Sequence, residues 1–405
     1  MIMNAVQKDS GKRVVVGLTG RVASSVAAFL LKKQGFDVIG MSIITNIDEN
    51  FAREEFYPKC HVQNLEAIKE FCQRLKIPFY ATDAKSQYES EVIDPLLSNK
   101  LAGNANASCF NCTEMRIKIM FEKMKKLKAD FIATGHFGKI HKSLTTDDFF
   151  VHSNIDHESD QSYLLSNIEN QYLRHLILPL GELKQEEVIK IAKKFNLIVP
   201  NKSKKYNFCF REINSYGKYI SQKIPKSLIN AGQVINIDNS NTHGDHEGMI
   251  NHYITERDFN FKGVNTSEEK DIEIVGFDFK RNVLQIGSKK NLTFLGTQLT
   301  HMKVNGNLER SKPIACFVKT KYSTKMNKAI LYFKNNSSAY VEFEQKYYPL
   351  IKGDIFVLYD KEGRNAKVIG FGTVDQRGRY EPLDRVHEFR PSQGDEKFVP
   401  KEFKF

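Results

Sequence analysis

The stretch VVVGLTGRVASSV, residues 14–26, decides how the first half of this chain folds. Three β-branched residues, Val14 to Val16, predict a buried strand. Gly17-Leu18-Thr19-Gly20 predicts a turn, and the apolar run from Val26 to Leu31 predicts a helix. A strand, a short glycine loop and a helix N-terminus make an anion site, because free backbone N–H groups and the positive end of the helix dipole converge there. Ser24 and Ser25 add hydroxyl donors in the first helical turn. A Walker A loop is excluded, since no Lys-Ser/Thr pair follows the glycines. Read by itself, the same pattern also fits any βα unit of an α/β domain.

Outward from this loop, short β-rich runs alternate with amphipathic helices up to about residue 205. The runs are 14–17, 37–44 (DVIGMSII), 78–83 (PFYATD) and 130–137 (DFIATGHF). Between Gln63 and Ile77, the residues Leu65, Ile68, Phe71, Cys72 and Leu75 share one helical face. From Glu186 to Leu197, Val188, Ile191, Ala192 and Phe195 do the same. Such alternation predicts an α/β fold with a parallel sheet covered on both sides and a ligand beyond the C-terminal strand ends. Residues 206–275 are patterned weakly and rich in Asn, Asp, Gly and His, which suggests a small central domain. Residues 276–380 carry short alternating strands at 315–322, 328–335, 338–345, 354–360 and 367–374, the grammar of a small antiparallel β-barrel. A charged segment, 381–405, reads as a solvated tail. The expected organisation is therefore 1–205, 206–275, 276–380 and 381–405.

With 60 Lys and Arg against 48 Asp and Glu, the net charge is +12, a balance that suits a polyanionic partner. No run approaches the roughly 20 apolar residues of a membrane span. Neither that nor the N-terminus suggests a membrane or secretory segment, so a cytoplasmic protein is expected. Six cysteines in so long a chain point to reduced thiols and not to a disulfide scaffold. Cys109-Phe110-Asn111-Cys112 lacks the second CxxC or paired histidines of a zinc site, so no metal ligands are assigned. The segment Thr113 to Lys128 reads as a strongly cationic helix, and its N-terminal end would favour the thiolate of Cys112. Cys209 lies in the loop-like KKYNFCF. Two cysteines in separate loops form a nucleophile–persulfide pair if the fold joins them; otherwise each is a small buried or surface residue.

The glycine loop is similar to the SGGxDSS loop of the PP-loop ATP pyrophosphatases, with Thr19 for Ser, Arg21 for Gly and Ala23 for Asp. The order of this loop, ASCFNC, DFIATGHF, SDQSYLL, LPLGELKQEEVIKIA, NFCF and a terminal β-domain resembles the tRNA 2-thiouridylases over roughly residues 12–375. That resemblance implies a PP-loop domain, a small central domain and a C-terminal β-barrel. It also implies ATP-dependent 2-thiolation of the wobble uridine of tRNA: the base is adenylated, and a persulfide then displaces AMP. Cys112 matches the family's nucleophile and Cys209 its persulfide carrier, with ATP and Mg2+ held at Gly17, Leu18, Thr19, Gly20, Ser24 and Ser25. Ile43 and Gly135 match further nucleotide contacts. His136, Asp160, Gln161, Lys321 and Tyr322 match tRNA contacts. The implied partners are tRNA and a persulfide donor, either a cysteine desulfurase or a sulfur-carrier protein.

Each of these positions also has a plainer reading. His136 fits a capping imidazole, Ile43 a core strand residue, Asp160 a helix N-cap, and Lys321 with Tyr322 ordinary strand residues. Departures cluster at the reactive loops. Ala23 removes the carboxylate that organises metal and phosphates. Ala105-Asn106-Ala107-Ser108 replaces a TPNP-type segment, and Lys204-Lys205-Tyr206-Asn207 replaces the usual lead-in to the second cysteine. The alternative function is a catalytically degenerate relative that keeps tRNA or partner binding without thiolation.

Overall fold

The computed structural model describes residues 11–45, 65–105, 108–197, 223–224, 226, 229–257, 259, 261, 271–321, 323, 325–378, 380–383 and 386–389. The N-terminal part is built from β1 (Arg13–Gly17), α1 (Val22–Lys33), β2 (Asp37–Ile44), α2 (Leu65–Leu75), β3 (Phe79–Asp83), α3 (Lys85–Tyr88), α4 (Asp94–Leu101), α5 (Ser108–Lys126) and β4 (Phe131–Ala133). The hairpin β5 (Lys139–Lys142) and β6 (Phe149–His152), α6 (Asn170–Leu173), β7 (Leu176–Ile177) and α7 (Gln185–Lys194) complete it. Its sheet is parallel in the order β3-β2-β1-β4-β7. Side chains alternate across a strand, and β1 shows the consequence. Val14 and Val16 enter the core with Val26, Leu31, Phe71 and Val188, while Val15 enters the opposite core with Ile117, Met120 and Ile132. Both faces are dry, which explains the unbroken valine run.

A second sheet follows, made of β8 (Gly232–Asn236), β9 (Thr242–His246), β10 (Ile272–Asp278) and β11 (Val283–Ser288) in the order β10-β11-β8-β9. β11 pairs parallel with β8 and antiparallel with β10. The central unit thus extends to Ser288, and the boundary expected at 275/276 moves to between β11 and the next strand. Residues 276–288 fall within the span expected to be barrel, but β10 pairs with β11 and β11 pairs with β8 of the central sheet.

The barrel is β12 (Phe294–Val304), β13 (Ile314–Lys319), β14 (Asn327–Phe333), β15 (Ala339–Tyr347), β16 (Ile355–Tyr359) and β17 (Val368–Arg377), closed as β12-β15-β14-β13-β16-β17. Five of the six strands are those expected; β12 closes the ring. Within β16, Phe356 and Leu358 fill the barrel, while Val357 and Tyr359 pack with Phe110, Val151 and Tyr163 of the first unit. The barrel wall is therefore also the floor of the N-terminal domain's second core. Instead of a wholly solvated tail, β18 (Tyr380–Leu383) pairs with β19 (Val386–Phe389). No helix among the described residues is long and apolar enough to cross a membrane.

Candidate active site at the C-terminal edge of the parallel sheet

The sheet order places β1 between β2 and β4, and the loops leaving β1 and β4 diverge from one point. Such a switch point opens a crevice beyond the strand ends. The loop after β1 is closely tied. Leu18 N–H donates to Met41 O at 2.7 Å, and Ser42 Oγ donates to Leu18 O at 2.8 Å. Gly20 sits at φ +75°, a conformation that glycine adopts without Cβ strain. Ser24 Oγ accepts the Thr19 N–H at 3.3 Å and donates to Arg21 O at 3.1 Å; Ser25 Oγ donates to Val22 O at 2.9 Å. Both serine hydroxyls therefore brace the loop in this state. The helix keeps its positive end, since the first N–H groups of any helix lack intrahelical acceptors, and its first turn holds no acidic residue. The loop suits a phosphate. It offers no carboxylate to Mg2+, because Ala23 stands where one would be needed, so the loop does not fit that metal.

Gly135 belongs to the same place. A Cβ built on it would lie 2.7 Å from both the Ala23 carbonyl carbon and the Ser24 nitrogen. The loop after β4 thus presses its bare backbone against the first turn of α1. His136 follows, with Nδ1 2.8 Å from Thr134 Oγ1. Ile43 is turned inward, packed in the core with Met41, Ala84 and Ile117. Here the plainer reading of a core strand residue describes its side chain.

Cys112 lies within α5, which begins at Ser108 and not at Thr113. Its thiol is therefore in the second turn, and the expected position just before the helix is corrected. Its chemistry is set instead by Arg116, one turn on. Arg116 Nε donates to Cys112 Sγ at 3.1 Å, and Nη2 donates to Thr45 Oγ1 at 3.2 Å. A guanidinium N–H directed at sulfur favours the thiolate. Thr45 directly follows β2, so one side chain links the buried thiol to the C-terminal end of the strand that pairs with β1. Sequence reasoning counted Arg116 only as part of a cationic helix; the i, i+4 spacing from Cys112 was the available signal. Neither Cys109 nor Cys112 is in a disulfide. Cys209 and Tyr322 lie outside the described residues.

Asp160 and Gln161 prove to be internal fasteners. Asp160 is 7% exposed; it accepts N–H bonds from Asn154 (2.9 Å) and Ser162 (3.2 Å) and pairs with Lys319 Nζ of the barrel at 2.7 Å. Gln161 Oε1 accepts the Phe137 N–H at 3.0 Å, and Gln161 N–H donates to Phe137 O at 2.7 Å. This exchange holds the segment after His136. Both side chains are buried and make these contacts within the protein, and the Ser162 N–H bond to Asp160 is a local cap. Lys321 stands at the end of β13, just past Lys319 and Thr320.

Two family models match the chain. Residues 12–212 fit the tRNA methyl transferase HUP domain, and residues 295–374 fit the aminomethyltransferase beta-barrel domain. The tRNA-specific 2-thiouridylase MnmA of Clostridium beijerinckii is 31% identical over 370 residues, 90% of this chain and 99% of the relative. That of Clostridium acetobutylicum is 29% identical over 352 residues, 86% of this chain and 96% of the relative. Among solved structures, the U34-tRNA thiolase NcsA from Methanococcus maripaludis with its 4Fe-4S cluster aligns with a TM-score of 0.34 at 17% identity, covering 56% of this chain and 71% of that one. The parallel sheet, the glycine loop at its switch point and the closed terminal barrel define a HUP-domain protein with an appended barrel. Within that class, the chain belongs to the tRNA-specific 2-thiouridylase family, a family of transferases.

Proposed function

We propose that this protein thiolates C2 of the wobble uridine of tRNA in an ATP-dependent reaction. The observation that carries this reading is the Arg116 bridge, which joins the Cys112 sulfur to the C-terminal end of β2, the strand beside the one that leads into the glycine loop. The N–H groups at the start of α1 bind the triphosphate, and Gly135 keeps that backbone in place. The uridine O2 attacks the α-phosphorus, pyrophosphate leaves, and C2 becomes electrophilic. Cys209, carrying a persulfide from a cysteine desulfurase or sulfur-carrier protein, supplies the terminal sulfur. The C2–S bond forms as the C2–O bond to AMP breaks. Cys112 thiolate takes the inner sulfur, leaving a Cys112–Cys209 disulfide that an external dithiol reduces. The target base leaves its stack to reach the buried Cys112. No step is assigned to Mg2+, in keeping with the absence of a loop carboxylate.

A second reading is a relative that binds tRNA without thiolating it. It is favoured by the serine hydroxyls spent on the loop's own closure and by the lack of an acidic residue in the first turn of α1. Nucleoside mass spectrometry decides between the two. Unmodified tRNA is incubated in single-turnover amounts with the protein, Mg-ATP and a cysteine desulfurase fed with free cysteine as the persulfide source, beside a Cys112→Ala control. ATP-dependent 2-thiouridine that disappears in the control is the expected result. Tight tRNA binding with no 2-thiouridine would establish the second reading.

A further inference from the structure

Asp354 lies in the turn between β15 and β16, directly after Gly353, whose φ is +81°. The residue is 2% exposed. Its Oδ1 accepts the Ile355 N–H at 2.9 Å, while Oδ2 is buried with no hydrogen-bond partner. A buried carboxylate oxygen without a donor is costly, and a nearby cation is the usual relief. The cation here is Lys321, whose charge favours the ionised carboxylate, although burial outweighs it and pushes Asp354 up to about 6. Tyr347, at the end of β15, is the other titratable group coupled to this carboxyl. On the turn itself, Lys352 pairs outward with Asp375 of β17 at 3.4 Å.

The residues before Lys321 are fixed on both sides. Lys319 is held by Asp160, and Thr320 Oγ1 lies 3.0 Å from Tyr347 OH. The same turn touches the approach to the Cys112 helix. Ala105 N–H donates to Lys352 O at 2.6 Å, and a Cβ on Gly353 would lie 2.6 Å from Asn104 Cβ. β13 and β16 are antiparallel with Lys319 opposite Val357, so Lys321, two residues further on, falls level with Ile355, the residue directly after the buried Asp354, near the segment that leads to the reactive thiol.

We propose that Asp354 is a positioning residue that competes with a tRNA phosphate for Lys321, so that RNA engagement at this segment takes up a proton at the Asp354 carboxyl. This rests on the reading that Lys321 contacts tRNA. The sign follows from electrostatics. An arriving phosphate repels the carboxylate and draws away its cation, and both effects favour the protonated acid. Affinity therefore rises as pH falls through the range in which Asp354 titrates. At neutral pH the ionised Asp354 weakens the complex and so helps the product leave.

The test is binding of an unmodified tRNA transcript between pH 5.5 and 8, at fixed salt, to the full chain and its variants. At pH 7.5, Asp354→Asn is expected to bind roughly three- to tenfold tighter than the parent, with a flatter pH profile. Asp354→Glu is expected to restore the slope. In a Lys321→Ala background, which itself binds more weakly, Asp354→Asn is expected to give no gain. Parental affinity and pH profile in Asp354→Asn, with Lys321→Ala weakened, would overturn the proposal and leave the tRNA contact standing. Unchanged binding by Lys321→Ala would remove the contact and the proposal together. Should Asp354→Asn not fold, calorimetry of the parent in two buffers at pH 6 reads the proton directly. Uptake greater than in Lys321→Ala is expected, and equal uptake overturns the proposal.

Discussion

At the scale of single residues, the thiols differ because their surroundings do. Cys72 and Cys316 are both pushed up to about 12 by burial, and neither is a nucleophile at neutral pH. Cys112 is also buried, at 7% exposure, but it receives a guanidinium N–H. Arg116→Leu keeps most of the bulk and removes the donor. Alkylation of Cys112 by iodoacetamide at pH 7, followed by peptide mass spectrometry, is expected to slow about tenfold, equivalent to about 1.4 kcal/mol of lost thiolate stabilisation. The rate should recover as pH approaches 9, where an unassisted thiol ionises. Arg116→Lys should fall between the two, since the ammonium keeps charge without the planar fork. An unchanged rate in Arg116→Leu at pH 7 would mean that the arginine serves packing alone.

Among elements, the junction of β4 with α1 is the most exacting. Gly135→Ala would put a methyl group against backbone atoms of Ala23 and Ser24, which have no flexible end to swing aside. The variant is expected to lose about 1–3 kcal/mol in urea unfolding. On the proposed function it should lose ATP affinity by a larger factor than it loses tRNA affinity, because the displaced atoms are those proposed to meet phosphate. Equal losses would place the nucleotide elsewhere. The β1–loop–α1 half of this junction was legible beforehand from a valine run, paired glycines and an apolar helix, but the approach of Gly135 to Ala23 and Ser24 was not, because it joins residues more than 100 positions apart. The five expected barrel strands were legible for a similar reason, as their two-residue alternation is regular. β12 was hidden because register shifts near Leu299 and Lys303 break its alternation. The central sheet was weak in the sequence because Gly, Asn and Asp supply its turns and few apolar residues supply its core. The start of α5 was read late because Ser108-Cys109-Phe110-Asn111 contains only poor helix formers, and packing of Phe110 against Phe371 of the barrel, 5.2 Å between ring centres, overrides that propensity. Asp160 and Gln161 could not be assigned from sequence, because their partners lie 159 and 24 residues away.

Across the whole molecule, the positive charge counted in the sequence is not all displayed to a polyanion. Among the described residues, three lysines are buried at the seams between units. Lys319 joins the barrel to Asp160, and Lys139 joins Glu182 at 2.7 Å and Asn365 of the barrel. Lys100 runs from α4 into the central unit, where its ammonium donates to His252 O and lies 4.3 Å from the centre of the Phe277 ring. Its charge is the least compensated of the three. Burial pulls Lys100 down to about 7, with Glu256 acting in the opposite direction. An unfolded lysine titrates near 10.4. Between about 7 and that value the unfolded chain holds a proton that the folded chain does not. Stability contributed by this site therefore rises with pH over that window and is flat below it. Lys100→Met keeps the apolar stem and removes the titration. In urea unfolding from pH 6 to 9, the parent is expected to gain stability relative to Lys100→Met above pH 7, while the variant is the more stable of the two near pH 6. The change should be greatest in a probe of the central unit, such as exchange of the Ile274 and Leu284 amides, because that is the unit Lys100 anchors. Parallel curves for the two proteins would show that the amine stays protonated in the folded state and that Glu256, not desolvation, governs the seam.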